Sequence, residues 1–296
     1  MFPANFDYAC PASIAEAARF LKEHPEDAKI LAGGQSLIPL LKLRLAAPQW
    51  VVDISRIAEL KAIRESDGQI EIGSLIRHVD IEQSDLLARS CPLLPEVAAE
   101  IGDAQVRNRG TIGGSLAHAD PAGDFSAAIL ALDAVMTASS ADGRRTISAQ
   151  DFFVNLMTTA LEPHEILTAI RVRPLAPRTG SAYAKMHHPA SGFAVVGVAS
   201  ILTLDSSGKV QDARVAITGV AAVPYRARRV EKRLRGTSAS APEIAAASAL
   251  AAEGVEVLAD IYASADYRRE LAAVFTRRSL EKAAQRAGRK SSEPRL

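Results

Sequence analysis

The 296-residue chain carries two segments in which paired glycines stand beside small hydroxyl residues. They are Ala32-Gly33-Gly34-Gln35-Ser36 and Arg109-Gly110-Thr111-Ile112-Gly113-Gly114-Ser115, the second followed by Asp120-Pro121-Ala122-Gly123-Asp124. Glycine pairs let a backbone approach a ligand without Cβ interference and turn successive N–H groups toward one anion. Ser36, Thr111 and Ser115 could add hydroxyl donors. Each segment alone also reads as a tight turn. Together, about 80 residues apart, they could grip a diphosphate from both sides. Neither contains G-x-x-x-x-G-K-[ST], so Walker-type nucleotide hydrolysis lacks its Lys and its Mg-binding hydroxyl. Neither contains G-x-G-x-x-G, so a Rossmann dinucleotide site is unsupported.

Other reactive side chains are sparse. His187 and His188 are adjacent, which in a strand sends the rings to opposite faces. His118 falls inside the second glycine segment and is a candidate polar contact; His78 reads as a strand-to-helix turn, and His24 and His164 as surface positions. No H-E-x-x-H occurs, so a zincin is unsupported. Cys10 and Cys91 are the only cysteines, which excludes a disulfide framework and an internal iron–sulfur cluster, which takes four thiolates. Any redox carrier on this chain must therefore be organic.

The elements that would position these residues follow from pattern. Ser13-Ile-Ala-Glu16 opens a helix, Lys29–Ala32 is a short buried strand running into the first glycine pair, and Ser36 could cap a helix over 37–45 with Pro39 in its first turn. That helix start would add unpaired donors and positive potential to the loop. Trp50–Ile54 reads as a strand. Hairpins are expected at 60–73 around Asp67-Gly68 and at 133–148 around Asp142-Gly143, with helices at 92–101 and 125–132. After PLAPRTG come strands at 181–187, 193–204 and 210–218, then helices at 225–235, 241–258 and 266–287. The whole is an α+β signature, divided near residue 176 into domains 1–176 and 177–290, with a tail at 291–296.

Lys plus Arg number 35 against 34 Asp plus Glu, a near-balance that argues against a nucleic-acid partner. Residues 225–235 and 276–296 each carry a local +5, which leaves about −9 for the rest of a chain whose net charge is +1. These segments read either as solvated helix faces or as docking surfaces for an acidic partner. The start lacks a basic and apolar leader, and no apolar run approaches the roughly 20 residues of a membrane span. A cytoplasmic protein is expected.

The stretch AGGQSLIPLLKLRLAAP followed by VVDI, and the stretch RNRGTIGGSLAHADPAGD, resemble the two FAD-binding stretches of the medium, flavin-carrying subunit of molybdenum hydroxylases. The likeness is to the carbon monoxide dehydrogenase medium-subunit type, in one family with xanthine dehydrogenase FAD subunits. YAKMHHPASGFAVVGVA at 183–199 resembles a third family segment, and the resemblance runs to about residue 287. It implies a vanillyl-alcohol-oxidase (PCMH)-type FAD domain followed by a smaller α+β C-terminal domain.

Carried over by position, the resemblance implies that Ala32, Gly33, Gly34, Gln35 and Ser36, with Thr111, Ile112, Gly113, Gly114 and Ser115, bind the diphosphate and ribityl region, mainly through backbone N–H groups. Asp124 would accept hydrogen bonds from a sugar diol or nearby donors. Lys185 would sit beside the flavin ring, and Glu165–Leu167 would touch the isoalloxazine edge. The Ser191-Gly192-Phe193 turn could gate the flavin or simply start a buried strand. Xanthine dehydrogenase relatives commonly carry Asn where Ser115 stands, a departure that bears on the substrate branch.

No histidine lies in AGGQS, so FAD is expected to be non-covalent. Molybdopterin would sit on a large partner and two [2Fe–2S] clusters on a small one, in a heterotrimer or a dimer of heterotrimers. Electrons would leave to a quinone, NAD or dioxygen. A stand-alone oxidase of the same fold and a cofactor-free assembly protein are the alternatives.

Overall fold

The computed structural model describes residues 2–288. The tail expected at 291–296, and with it Arg289 and Lys290 of the second basic run, lies outside the described residues.

The chain begins with a three-stranded parallel sheet in which Trp50–Asp53 lies between Asp7–Ala9 and Ala28–Leu31. Helix Ile14–Glu23 connects the two outer strands. Ser13 Oγ accepts the Glu16 amide and the Glu16 carboxylate accepts the Ala12 amide, the reciprocal capping that the sequence suggests. Ala17, Ala18 and Leu21 bury its inner stripe with Val52, Ile54 and Ile57.

A five-stranded antiparallel sheet follows, built from two hairpins that clasp the strand Ile166–Val172. One hairpin is Ile63–Ser66 with Gln69–Gly73, and its turn residues Asp67 and Gly68 have φ values of 52° and 69°. Both are left-handed, as a two-residue primed turn requires. The other pairs Val135–Ser140 with Gly143–Ser148.

Between the hairpins lie six short helices, from His78–Glu82 to Asp124–Ala131. Sequence pattern anticipates Leu93–Ala99 and Asp124–Ala131 but not the helix Ile112–His118. The second glycine segment is therefore a capped helix start rather than an open loop: Thr111 Oγ1 accepts the Gly114 amide at 3.1 Å.

The C-terminal sheet is an antiparallel meander of Thr179–His187, Ala194–Leu204, Val210–Thr218 and Tyr225–Arg226. Ala194–Leu202 is buried throughout because both sheet faces are covered. Alternate residues face different cores. Ala199 and Ile201 join Phe125 and Ala128 of the first region, whereas Val196, Val198 and Leu202 pack with Leu271 and Phe275. The long helix Ala265–Gly288 crosses this sheet so closely that a Cβ on Gly180 would lie 2.0 Å from the Ala283 carbonyl oxygen.

The helix expected over 241–258 stops at Ser248, where short three-residue bonds (Leu250 N to Ala247 O, Ala251 N to Ser248 O) tighten the end and Gly254 turns left-handed at φ 77°. The basic segment 225–235 divides into a two-residue strand and the helix Arg228–Leu234. No helix among the described residues is long and apolar enough to cross a membrane.

The first region and the C-terminal sheet are stapled together beside the Asp120–Asp124 turn. The Gly219 amide donates to Pro121 O at 2.7 Å and the Ala194 amide to Ala122 O at 3.3 Å. Thr218 Oγ1 donates to the Pro121 carbonyl at 2.6 Å.

Candidate functional site

The strand Ala28–Leu31 ends in the first glycine pair, and Gly34 takes φ 77°, a conformation open to glycine at little cost. Gly33 touches the second segment directly: a Cβ there would stand 2.2 Å from the Arg109 carbonyl oxygen. The amides of Gly33, Gly34, Gln35 and Ser36 have no protein partner among the described residues. Ser36 makes no side-chain cap bond to helix Leu37–Lys42, which leaves its hydroxyl available along with those N–H groups.

The second segment is used differently from the expectation. The Ile112 amide donates to Ile76 O, the Gly113 amide to Ser74 O, the Gly114 amide to Thr111 Oγ1 and the Ser115 amide to Thr111 O. Four of the five expected donors are thus engaged, two holding the segment against the end of the first hairpin and two closing its own helix start. The glycines serve close approach: a Cβ on Gly113 would lie 2.4 Å from the Ser74 Cβ, and one on Gly114 would lie 2.8 Å from the capping Thr111 Oγ1 and in ordinary contact, 3.7 Å, with the Ala32 Cβ. What this segment presents to a ligand is a glycine surface and the Ser115 hydroxyl.

Both segments line one cleft of about 550 Å³. The rest of its wall comes from two groups: Lys29, Ile30, Leu40, Ala46 and Ile54 from the first sheet and the segments after its strands, and Met157, Leu161, Glu165–Leu167 and Ser191–Phe193 from later in the chain. Ala32–Ser36, Thr111, Gly113–Ser115 and Asp124 all line it, and so does His118. Ile112 does not; its side chain is in the core. Leu167 arrives on the central strand of the five-stranded sheet. Glu165, beside it, is held ionised: two hydrogen bonds from Arg145, at 2.6 and 2.7 Å, pull its carboxyl below the usual range.

Lys185 departs from the expectation. Its ammonium is absent from the cleft wall and fully buried. It donates to Asp124 Oδ2 at 3.0 Å and to the Glu100 carbonyl at 2.8 Å, and lies 2.9 Å from Asp124 Oδ1 in an ion pair. Asp124, which does line the cleft, also accepts from the Tyr183 hydroxyl at 2.7 Å. Both its oxygens therefore have protein donors already. Burial pushes the Asp124 carboxyl up, and the Lys185 charge with the Tyr183 hydroxyl opposes that push. Lys185 thus belongs to a buried Asp124–Lys185–Tyr183 cluster, of which only Asp124 lines the cleft.

The cleft also draws on residues that the glycine motifs do not announce. Ser74 and His78, both nearly inaccessible, sit under the second segment. The His78 amide donates to Gly110 O at 3.0 Å and its ring fills the space a Gly110 Cβ would need. Burial, with the nearby Arg107 charge, lowers the His78 imidazole to about 4, so it is neutral at ordinary pH. His188 is stacked on Tyr262 at 4.4 Å and His187 bonds Glu100 at 2.8 Å, so the adjacent pair does not converge. Cys91 is buried and its thiol is pushed up to about 12, which suits a core residue and not a nucleophile.

The basic segments are engaged within the molecule. Arg226 binds Glu231 and Asp133, Arg228 binds Glu231, and Arg235 binds Asp212. Lys282 and Arg286 both bind Glu96. Part of the local excess in the two runs is therefore offset by carboxylates distant in sequence, Asp133 and Asp212 for the first and Glu96 for the second.

Comparison with known proteins agrees with this architecture. Residues 4–175 match the family described as the FAD binding domain in molybdopterin dehydrogenase, and residues 181–283 match the CO dehydrogenase flavoprotein C-terminal domain. The chain is 39% identical to the 6-hydroxypseudooxynicotine dehydrogenase complex subunit alpha of Paenarthrobacter nicotinovorans, covering 97% of each chain. It is also 39% identical to the carbon monoxide dehydrogenase medium chain of Afipia carboxidovorans, covering 97% of this chain and 99% of that one. A crystal structure of a Cu,Mo-CO dehydrogenase contains a chain that superposes with a TM-score of 0.93 at 38% identity, over 97% of this chain and 100% of that one. Fold, paired glycine segments and full-length similarity place the chain in the family of FAD-binding medium subunits of molybdenum hydroxylases.

Proposed function

We propose that this chain holds FAD non-covalently in the cleft and serves as the electron-transfer link between the iron–sulfur clusters of a partner subunit and an external acceptor. The observation that carries the reading is the meeting of the two glycine segments. Four unpartnered amides from Gly33 to Ser36 face a wall that Gly113 and Gly114 keep free of side chains. A diphosphate needs such convergent N–H donors and close backbone approach, and the residues present fit it. The apolar group Ile30, Leu40 and Ile54 suits the adenine. The group Leu167, Leu161 and Phe193 suits the isoalloxazine.

Bound there, FAD supplies the exchange between one-electron centres and two-electron acceptors. The protein's part is to bind and orient. Ser36 and Ser115 would offer hydroxyl donors to the phosphates, Leu161 and Leu167 would keep water from the apolar ring, and the buried Asp124–Lys185 pair would hold Asp124's stretch of the cleft wall in place. The described residues include no cluster of ligands able to hold a metal. On this reading molybdopterin and two [2Fe–2S] clusters reside on a large and a small partner, in a heterotrimer or a dimer of heterotrimers. Neither a separate oxidase site nor a cofactor-free role has a specific observation in its favour.

The test is flavin reduction with and without partners. Substrate of the complex should bleach the flavin absorbance of the assembled enzyme and leave the isolated, FAD-loaded chain unchanged. Bleaching of the isolated chain by its own substrate would assign a stand-alone oxidase instead.

A further inference from the structure

Six of the thirteen exposed large apolar side chains among the described residues come from two short segments: Phe2, Phe6 and Tyr8, and Ile38, Leu43 and Leu45. The segments are neighbours in space. Arg44 Nε donates to the Phe2 carbonyl at 3.3 Å, and the Asp7 amide donates to Gln49 O at 2.7 Å. Phe2, Leu43 and Leu45 are 85%, 54% and 72% exposed, and clusters of this kind mark interaction sites on folded proteins.

The patch is built rather than frayed. Arg44 takes φ 57°, a left-handed conformation uncommon for a residue with a side chain, and the Leu45 and Ala46 amides both return to the Leu40 carbonyl. This turn holds Leu43 and Leu45 outward at a conformational cost. Beside it, Asp7–Ala9 is an edge strand paired on one side only, with Trp50–Asp53, and an open edge is a second feature that a partner can cover.

The charges are biased. Lys42 and Arg44 have no carboxylate partner among the described residues, and Asp7 is the one acidic residue in segments 2–8 and 37–46. In the basic runs near the C-terminus, by contrast, Arg226, Arg228, Arg229, Arg235, Lys282 and Arg286 have carboxylate partners within the chain.

We infer that this face docks another subunit of the same complex, through an apolar surface of that subunit rimmed by carboxylates. The inference rests on the reading of the chain as one subunit of a larger assembly. A second copy of this chain fits less well, because a two-fold contact would bring the Lys42 and Arg44 charges against their own equivalents. Leu37, Leu40 and Ala46 of the same segment line the cleft, so the docked subunit would cover the outer side of that part of its wall.

The experiment is co-purification of the co-expressed complex carrying Leu43→Asp with Leu45→Asp, neither of which lines the cleft, and separately Lys42→Glu with Arg44→Glu. Tyr267→Asp, at an exposed position elsewhere, is the control. The leucine pair should lower recovery of the other subunits by roughly tenfold or more, the charge reversal should weaken assembly most at low salt, and the control should assemble as wild type. Circular dichroism and thermal unfolding of the isolated variants should match wild type. Normal assembly of both double variants, or their conversion of a wild-type homodimer into a monomer with the complex intact, would overturn the docking assignment. A wild-type chain that assembles with no other subunit would overturn the subunit reading, and this inference with it.

Discussion

The Lys185 ammonium lies 2.9 Å from the Asp124 carboxylate, with 0% and 5% of their side chains exposed. This pair joins the C-terminal sheet to the helix that follows the second glycine segment, so the wall of the cleft is fixed by both halves of the chain. Removing one partner of a buried pair leaves an uncompensated charge and typically costs about 3–5 kcal/mol. Lys185→Met should therefore destabilise the protein by that order in urea unfolding, and the double variant Lys185→Met, Asp124→Asn should recover part of the loss. A single variant as stable as wild type would show that the pair does not hold the wall.

His78 predicts a pH dependence. Its folded pKa, about 4, lies below the ordinary 6.5, so the unfolded chain takes up the proton first as pH falls. The contribution to stability is complete above about pH 6.5 and is lost progressively as pH drops toward 4. The gap corresponds to about 3 kcal/mol. Replacing His78 by Gln should flatten this part of the stability profile, read by chemical denaturation across that range. An unchanged acid slope would assign the loss to other groups.

The charged segments near the C-terminus predict two unlike outcomes. Arg226 and Glu231 are nearly inaccessible, at 5% and 2%, so Arg226→Met should cost about 3 kcal/mol by leaving buried Glu231 with only the Val215 amide and the longer Arg228 contact. Lys282 is half exposed in its pair with Glu96, and Lys282→Gln should cost less than about 1 kcal/mol. Thermal unfolding distinguishes the two. Equal, negligible effects would restore the reading of both segments as solvated faces.

These results mark what the residues disclose in order and what they do not. Ala32–Ser36 and Thr111–Ser115 are legible because each is a contiguous run of glycine and hydroxyl residues, and their pairing across the cleft follows the spacing argument. The role of the second run is not legible in the same way. The Ile112 and Gly113 amides are taken by Ile76 and Ser74 at the end of a hairpin, partners that only the fold brings near. Lys185 and Asp124 are 61 residues apart, and no local pattern says that they neutralise each other. The basic runs mislead for the same reason, since Asp133 and Glu96 lie far from them in sequence. The strands expected at 181–187, 193–204 and 210–218 are legible because apolar runs bounded by turn residues are local signals.

The central claim is that the contact between the glycine segments makes the FAD site, and the flavin-to-protein ratio of Gly33→Ala tests it most directly. A single methyl group there would lie 2.2 Å from the Arg109 carbonyl oxygen and force the two segments apart. The wild-type complex should carry one FAD per chain. The variant should retain wild-type circular dichroism, apart from a stability loss of about 1–3 kcal/mol, and should carry less than roughly a tenth of the flavin. Full flavin occupancy in a folded Gly33→Ala protein would contradict the account.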